Sequence, residues 1–166
     1  MGLEIGRIAQ PVTALGVTYT TPLTTIPGIG AGAFAANDAF GTGGVISVPR
    51  SGIIDTAILY DFDDEGSQID ILLFNREPAQ EVSDAAISIS DADLANLVDV
   101  LEFATFVDLI NNRVSISRGR GVAYSAPVGR LWFQAVTRAT PTIAAGKSPG
   151  FRLIILSDER MEGQDA

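Results

Sequence analysis

The sequence predicts an all-β, mostly antiparallel fold, a β-sandwich or barrel with one short α-helix near residues 90–101. Three observations carry this. Short runs alternate with period two, as Leu131, Phe133 and Ala135 do against Trp132, Gln134 and Val136. Gly, Pro, Asn and Asp punctuate those runs. Only one segment departs from period two, SDADLANLVDVL, where Leu94, Leu97, Val98 and Leu101 fall at i, i+3, i+4 and i+7.

The elements follow in chain order. Residues 1–32 are read as an extended N-terminal arm or a first strand. Within them the uncharged stretch Ile8–Asn37 carries Pro11, Pro22, Pro27 and six threonines. It holds no apolar run near the roughly 20 residues of a spanning helix. MGLEIGR lacks the basic start of an export signal, so the expectation is synthesis in a cytoplasm, with no membrane. Val12–Thr20 has a competing reading as a strand of the chain's own sheet. Residues 33–158 form the β domain. In it Ile69, Ile71 and Leu73 alternate with Asp70, Leu72 and Phe74, and Val114 and Ile116 alternate with Ser115 and Ser117. Phe151, Leu153 and Ile155 alternate with Arg152, Ile154 and Leu156. Asn111-Asn112 and APVG at 126–129 read as turns. Ser90 is the expected helix N-cap, with Asp91 and Asp93 at the positive end of the dipole. Residues 159–166 are a charged tail expected to fray.

Composition narrows the chemistry. The 166 residues are 46% hydrophobic and 19% charged, which suits one globular domain. Mean hydropathy is positive, +0.27, as for a subunit that covers surface with partners. There is no cysteine and no histidine, so disulfides, thiolate metal sites and His-based triads are excluded. Catalytic, cofactor-binding and metal residues are therefore all expected to be none, and the chain is not read as an enzyme. A net charge of −9 argues against nucleic acid as a partner.

Two motifs invite chemistry and decline it. Asp61, Asp63, Glu65 and Gly66 match the opening of an EF-hand loop, but Gln68 and Leu72 stand where an aliphatic residue and the bidentate Glu belong. The loop is read as a solvated hairpin tip, with Gly66 at a positive-φ position. The same acids, adjacent on a turn, are expected to be too well hydrated for a glycosidase pair. GIGAGA at 28–33 mimics a dinucleotide fingerprint, but Pro27 interrupts the run before it and no crossover helix follows. It is read as a loop.

Charge is lopsided. Residues 55–108 hold fourteen of the twenty acids and one base, Arg76, whereas residues 109–157 hold seven bases and no acid. Either the two halves face each other within a subunit, or a face of one copy meets the next. On the second reading Arg118 and Arg120 are subunit-contact residues. Pro11, Val12, Leu15, Val17 and Tyr19 are the candidate contacts of the N-terminal arm.

The ordered set Asn37-Asp38, Leu73-Phe74 with Pro78, Ser90 to Asp93, Leu131-Trp132 and Pro141-Thr142 resembles a family of tailed-bacteriophage head decoration, or cement, proteins. The resemblance spans about residues 33–158 and leaves residues 1–32 outside. It implies a virion structural protein on the outer capsid surface, a β-rich subunit without an active site. It also implies the major capsid protein and the chain itself as partners, the latter as a homotrimer at three-fold or quasi-three-fold positions. The alternatives are a phage tail or receptor-binding module and a carbohydrate-binding β-sandwich domain, both of which call for exposed aromatics.

Overall fold

The computed structural model describes residues 17–157, and in it the alternating runs are strands of an all-β sandwich. In chain order they are β1 (Val17–Thr20), β2 (Thr24–Thr25), β3 (Gly32–Ala33), β4 (Gly44–Ser47), β5 (Ser51–Asp61) and β6 (Ile69–Phe74). A helix α1 (Asp91–Leu94) precedes β7 (Leu97–Phe103), β8 (Val107–Asp108), β9 (Arg113–Ser117) and β10 (Val122–Ser125). The last are β11 (Arg130–Thr137), β12 (Thr142–Ile143) and β13 (Gly150–Ser157).

The large sheet runs β1-β13-β5-β9-β8, with β10 also on β5 and β2 also on β13. The small sheet runs β4-β11-β6-β7, and β12 pairs β3 apart from both. Every strand pairing given by the registers is antiparallel. The sheets meet face to face. Ala57, Leu59, Leu153 and Ile155 from the large sheet share one core with Ile71, Leu73, Leu101 and Phe133 from the small one. Phe133 and Phe151 cross between them edge to face, centroids 4.9 Å apart.

The small sheet is covered on its outer side too. Residues 75–96 leave β6, cross that face and return as β7. Ile87 and Ile89 there pack on Leu72, Phe74 and Val136. The excursion is tied to the chain before β4 by Ala39 N–H donating to Ala85 O at 2.7 Å and Ile87 N–H to Asn37 O at 3.0 Å.

The helix needs a correction. Ser90 does cap it, its Oγ accepting from Asp93 N–H at 3.1 Å, but it ends after one turn. Leu97, Val98 and Leu101, read as its apolar stripe, belong to β7. Their spacing has a different origin. Leu73 pairs with Asp99 and Phe74 with Leu97, so Val98 is the extra residue of a bulge. The bulge puts Leu97 and Val100 on the outer cluster and Val98 and Leu101 on the main core, each pair three apart. A bulged strand covered on both faces thus imitates helical periodicity.

Candidate interaction surface

The acidic loop is not a hairpin tip. β5 lies in the large sheet and β6 in the small one, so residues 62–68 cross between sheets. Nor is Asp61 hydrated. It is 3% exposed, and its carboxylate accepts from Asp63 N–H at 3.0 Å and from Gly66 N–H at 2.7 Å. Asp63 accepts from Ala144 N–H at 2.6 Å, and Asp64 pairs with Arg113 at 2.8 Å. The carboxylates are thus used to shape and tie down a crossover. Gly66 does take a positive φ of 61°, and a Cβ there would strike the Arg113 guanidinium. Among the described residues no group of three or more Asp, Glu, His or Cys side chains could hold a metal ion. The APVG turn likewise joins the two sheets, β10 to β11, rather than closing a hairpin.

Part of the split charge is resolved within one chain, for three of the seven bases. Arg113–Asp64, Arg120–Asp99 and Arg138–Asp70 each join the acidic half to the basic half. The Arg113 guanidinium is held above its ordinary value, first by its hydrogen bond to Asp64, then by the nearby charges of Asp64, Asp108 and Asp61. Arg120, expected at a contact between copies, instead has its charge engaged internally. Arg118 is exposed.

The expected arm residues separate. Pro11, Val12 and Leu15 lie outside the described residues. Val17 is half-buried on β1, and Tyr19 is buried in the main core, where it cannot serve as a docking contact. From Val17 on, the uncharged stretch supplies β1, β2 and β3 and buries Tyr19, Thr21, Ile26 and Phe34, while most of residues 22–37 stay exposed. Thr21 Oγ1 accepts from Leu153 N–H at 2.9 Å, and Ile26 is fully buried. β13 and β5 lie between β1 and the strand leading to Arg118, so Val17 and Tyr19 do not share a site with the arginines. Across GIGAGA, Gly32-Ala33 pairs with β12 in a two-stranded ribbon, and no helix follows.

What sequence reasoning missed is the outer face of the large sheet. The registers stack its residues in rows. Thr18, Leu156, Ile53 and Ala123 form one row. Arg152, Ile58 and Ile116 form another, and Tyr60, Val114 and Val107 a third. Phe62 stacks beyond Tyr60 with centroids 6.4 Å apart. A bulge at Asp55 (Ile154 opposite Thr56, Ile155 opposite Ile54) turns both Ile53 and Ile58 outward. Ile53, Ile58, Tyr60, Phe62, Val114, Ile116, Ile154 and Leu156 belong to neither buried cluster; Ile53, Ile116 and Leu156 are exposed and the other five half-buried. A solvated antiparallel face is ordinarily polar. The signal was available in FRLIIL, where both parities are apolar except at Arg152.

The face continues into the β8–β9 turn. Leu109 is exposed there, and Ile110 is 84% exposed with φ 80°. A β-branched residue at positive φ is strained. The turn is held by Asp108 Oδ1 accepting from Ile110 N–H at 2.7 Å.

A concavity of about 450 Å³ lies at one end of the small sheet between Trp132, Asn75, Arg76, Asn96, Pro127 and Val128. No helix among the described residues is long and apolar enough to cross a membrane. In comparisons with protein-family models, curated proteins and solved structures, nothing matches the chain.

Proposed function

We propose that the chain is a bacteriophage capsid decoration protein that binds the outer surface of the major capsid protein shell and stabilises it, as a virion component without catalytic activity. The observation that carries this reading is the apolar outer face of the large sheet, whose side chains join neither buried cluster and stay exposed or half-buried. The opposite side of the sandwich supports it. There the 75–96 excursion carries Glu77, Glu81, Asp84, Asp91 and Asp93 against one base, Arg76. Such a molecule has one side suited to apolar contact and one suited to solvent.

At about 3.3 Å by 4.8 Å per residue, the 30 residues of the five strands β1, β13, β5, β9 and β8 give a face on the order of 500 Å². That is below the roughly 800 Å² per partner of a standard interface. One copy would bind weakly, and the trimer implied by the family resemblance would add avidity. Adding purified protein to shells that lack it tests the reading, with co-sedimentation and the temperature of shell disruption as readouts. Saturable binding with a raised disruption temperature is expected. Protein that stays in the supernatant at every concentration would end the proposal.

A carbohydrate-binding reading draws on one observation, the Trp132 cleft with the amides of Asn75 and Asn96 and the guanidinium of Arg76. Glycan binding abolished by Trp132→Ala, without shell binding, would favour it.

A further inference from the structure

We propose that the outer face of the large sheet docks on a foreign protein patch that is apolar and carries a carboxylate, and that Arg152 is the seat for that carboxylate. The inference rests on the decoration reading and names the chemistry of its partner surface.

Arg152 is the anomaly of the face. It stands in the row Arg152, Ile58, Ile116, and its guanidinium carbon lies 5.2 Å from the Tyr60 ring centroid. Among the described residues it has no hydrogen-bond or ion-pair partner, and its Nε is enclosed without an acceptor. This is not for want of acids. The chain has twenty acids to eleven bases, and Arg113, Arg120 and Arg138 are each paired. Asp55, at the bulge beside Thr56, accepts from Thr56 Oγ1 at 2.8 Å and makes no ion pair with Arg152. Stacking on Tyr60 holds the planar fork across the face, and such a fork takes a carboxylate in two parallel bonds. Any partner that covered Ile58 and Ile116 would also strip water from Arg152. Unless it supplied an acceptor, it would bury an uncompensated charge.

The other occupants fit less well. Two copies joined face to face about a two-fold would bring two copies each of Arg152 and Arg118 into one contact, an excess of like charge. Seating the face on the acidic excursion of a next copy joins opposite sides of the sandwich, a head-to-tail contact that grows as an open filament.

The test has two arms. In the first, wild type, Arg152→Leu and Arg152→Lys are bound to bare shells over a range of salt, with Val82→Asp on the opposite side as control. Arg152→Leu is expected to bind at least about tenfold more weakly with a flatter salt dependence, Arg152→Lys to fall between, and Val82→Asp to match wild type. Arg152→Leu binding as well as wild type, or tighter, overturns the seat. In the second arm the Ile58 and Ile116 methyl resonances are followed while hexanoate or hexanol is added. Hexanoate is expected to shift them in wild type and to lose its advantage over hexanol in Arg152→Leu. Equal response to both probes overturns the seat even if no shell binds, whereas wild type failing on shells but preferring hexanoate removes only the decoration reading. A drop in sedimenting mass caused by Ile58→Asp would assign the face to a second copy. Methyls that respond only after residues 1–16 or 158–166 are removed would assign it to the chain itself. Either result overturns the proposal.

Discussion

Arg120 grips Asp99 across the open seam of the sandwich, Nε to Oδ2 at 2.7 Å and Nη2 to Oδ1 at 2.8 Å. Asp99 lies on β7 of the small sheet, and Arg120 lies in the loop between β9 and β10 of the large one. The same guanidinium donates to Val100 O at 2.7 Å and to Ser117 Oγ at 2.9 Å, so one side chain closes an edge that neither sheet pairs by itself. The two side chains are only 17% and 13% exposed, which sets this pair apart from an ordinary surface ion pair.

Removing either partner leaves a mostly buried charge. Arg120→Ala and Asp99→Ala are each expected to cost about 2–3 kcal/mol in chemical denaturation. The double variant should cost clearly less than their sum. Sedimentation should not change with either substitution. A change in association without a loss of stability would return Arg120 to a contact between copies.

Asp61 should behave as a structural carboxylate. Asp61→Ala strands the Asp63 and Gly66 N–H donors and is expected to cost about 3 kcal/mol, with Asp61→Asn nearer 1–2 kcal/mol. Calcium at millimolar concentration should leave the thermal midpoint of wild type unmoved. A midpoint that climbs with calcium would mean that the loop binds the ion.

Tyr19 predicts alkaline sensitivity. Burial raises its pKa above the ordinary 10.0, because the interior disfavours the phenolate. Between the unfolded and folded values the unfolded chain has lost a proton that the folded chain keeps, so stability is full below about pH 10 and falls as pH rises through the folded value. Tyr19→Phe should flatten that loss in denaturation series run from pH 9 to 11. An unchanged slope would place the alkaline sensitivity elsewhere.

A chain beginning at Ala31 should fail to fold. It lacks Tyr19 and Ile26, each worth about 2–4 kcal/mol in the core, against a net stability of about 5–15 kcal/mol for a domain. It also leaves β13 without β1 and β2. Cooperative unfolding of the shorter chain would make residues 17–30 an appendage after all.

Much of this protein is readable from its residues alone. Period-two runs and turn residues determine an all-β chain, and Ser90 with Asp93 determines where a helix starts. Local rules act within a few residues, and these features are local. The helix end was not readable, because a bulge at Val98 in a strand covered on both faces yields the spacing of a helix. The partners of the charges were not readable either. Asp64 and Arg113, or Asp99 and Arg120, are separated in sequence and meet only when the strands are assigned to sheets. Tertiary structure also decided that Asp61 is buried while Ile58 and Ile116 are left facing outward. Sequence records which side chains are apolar, but only the stacking of one sheet on another determines which apolar face is covered.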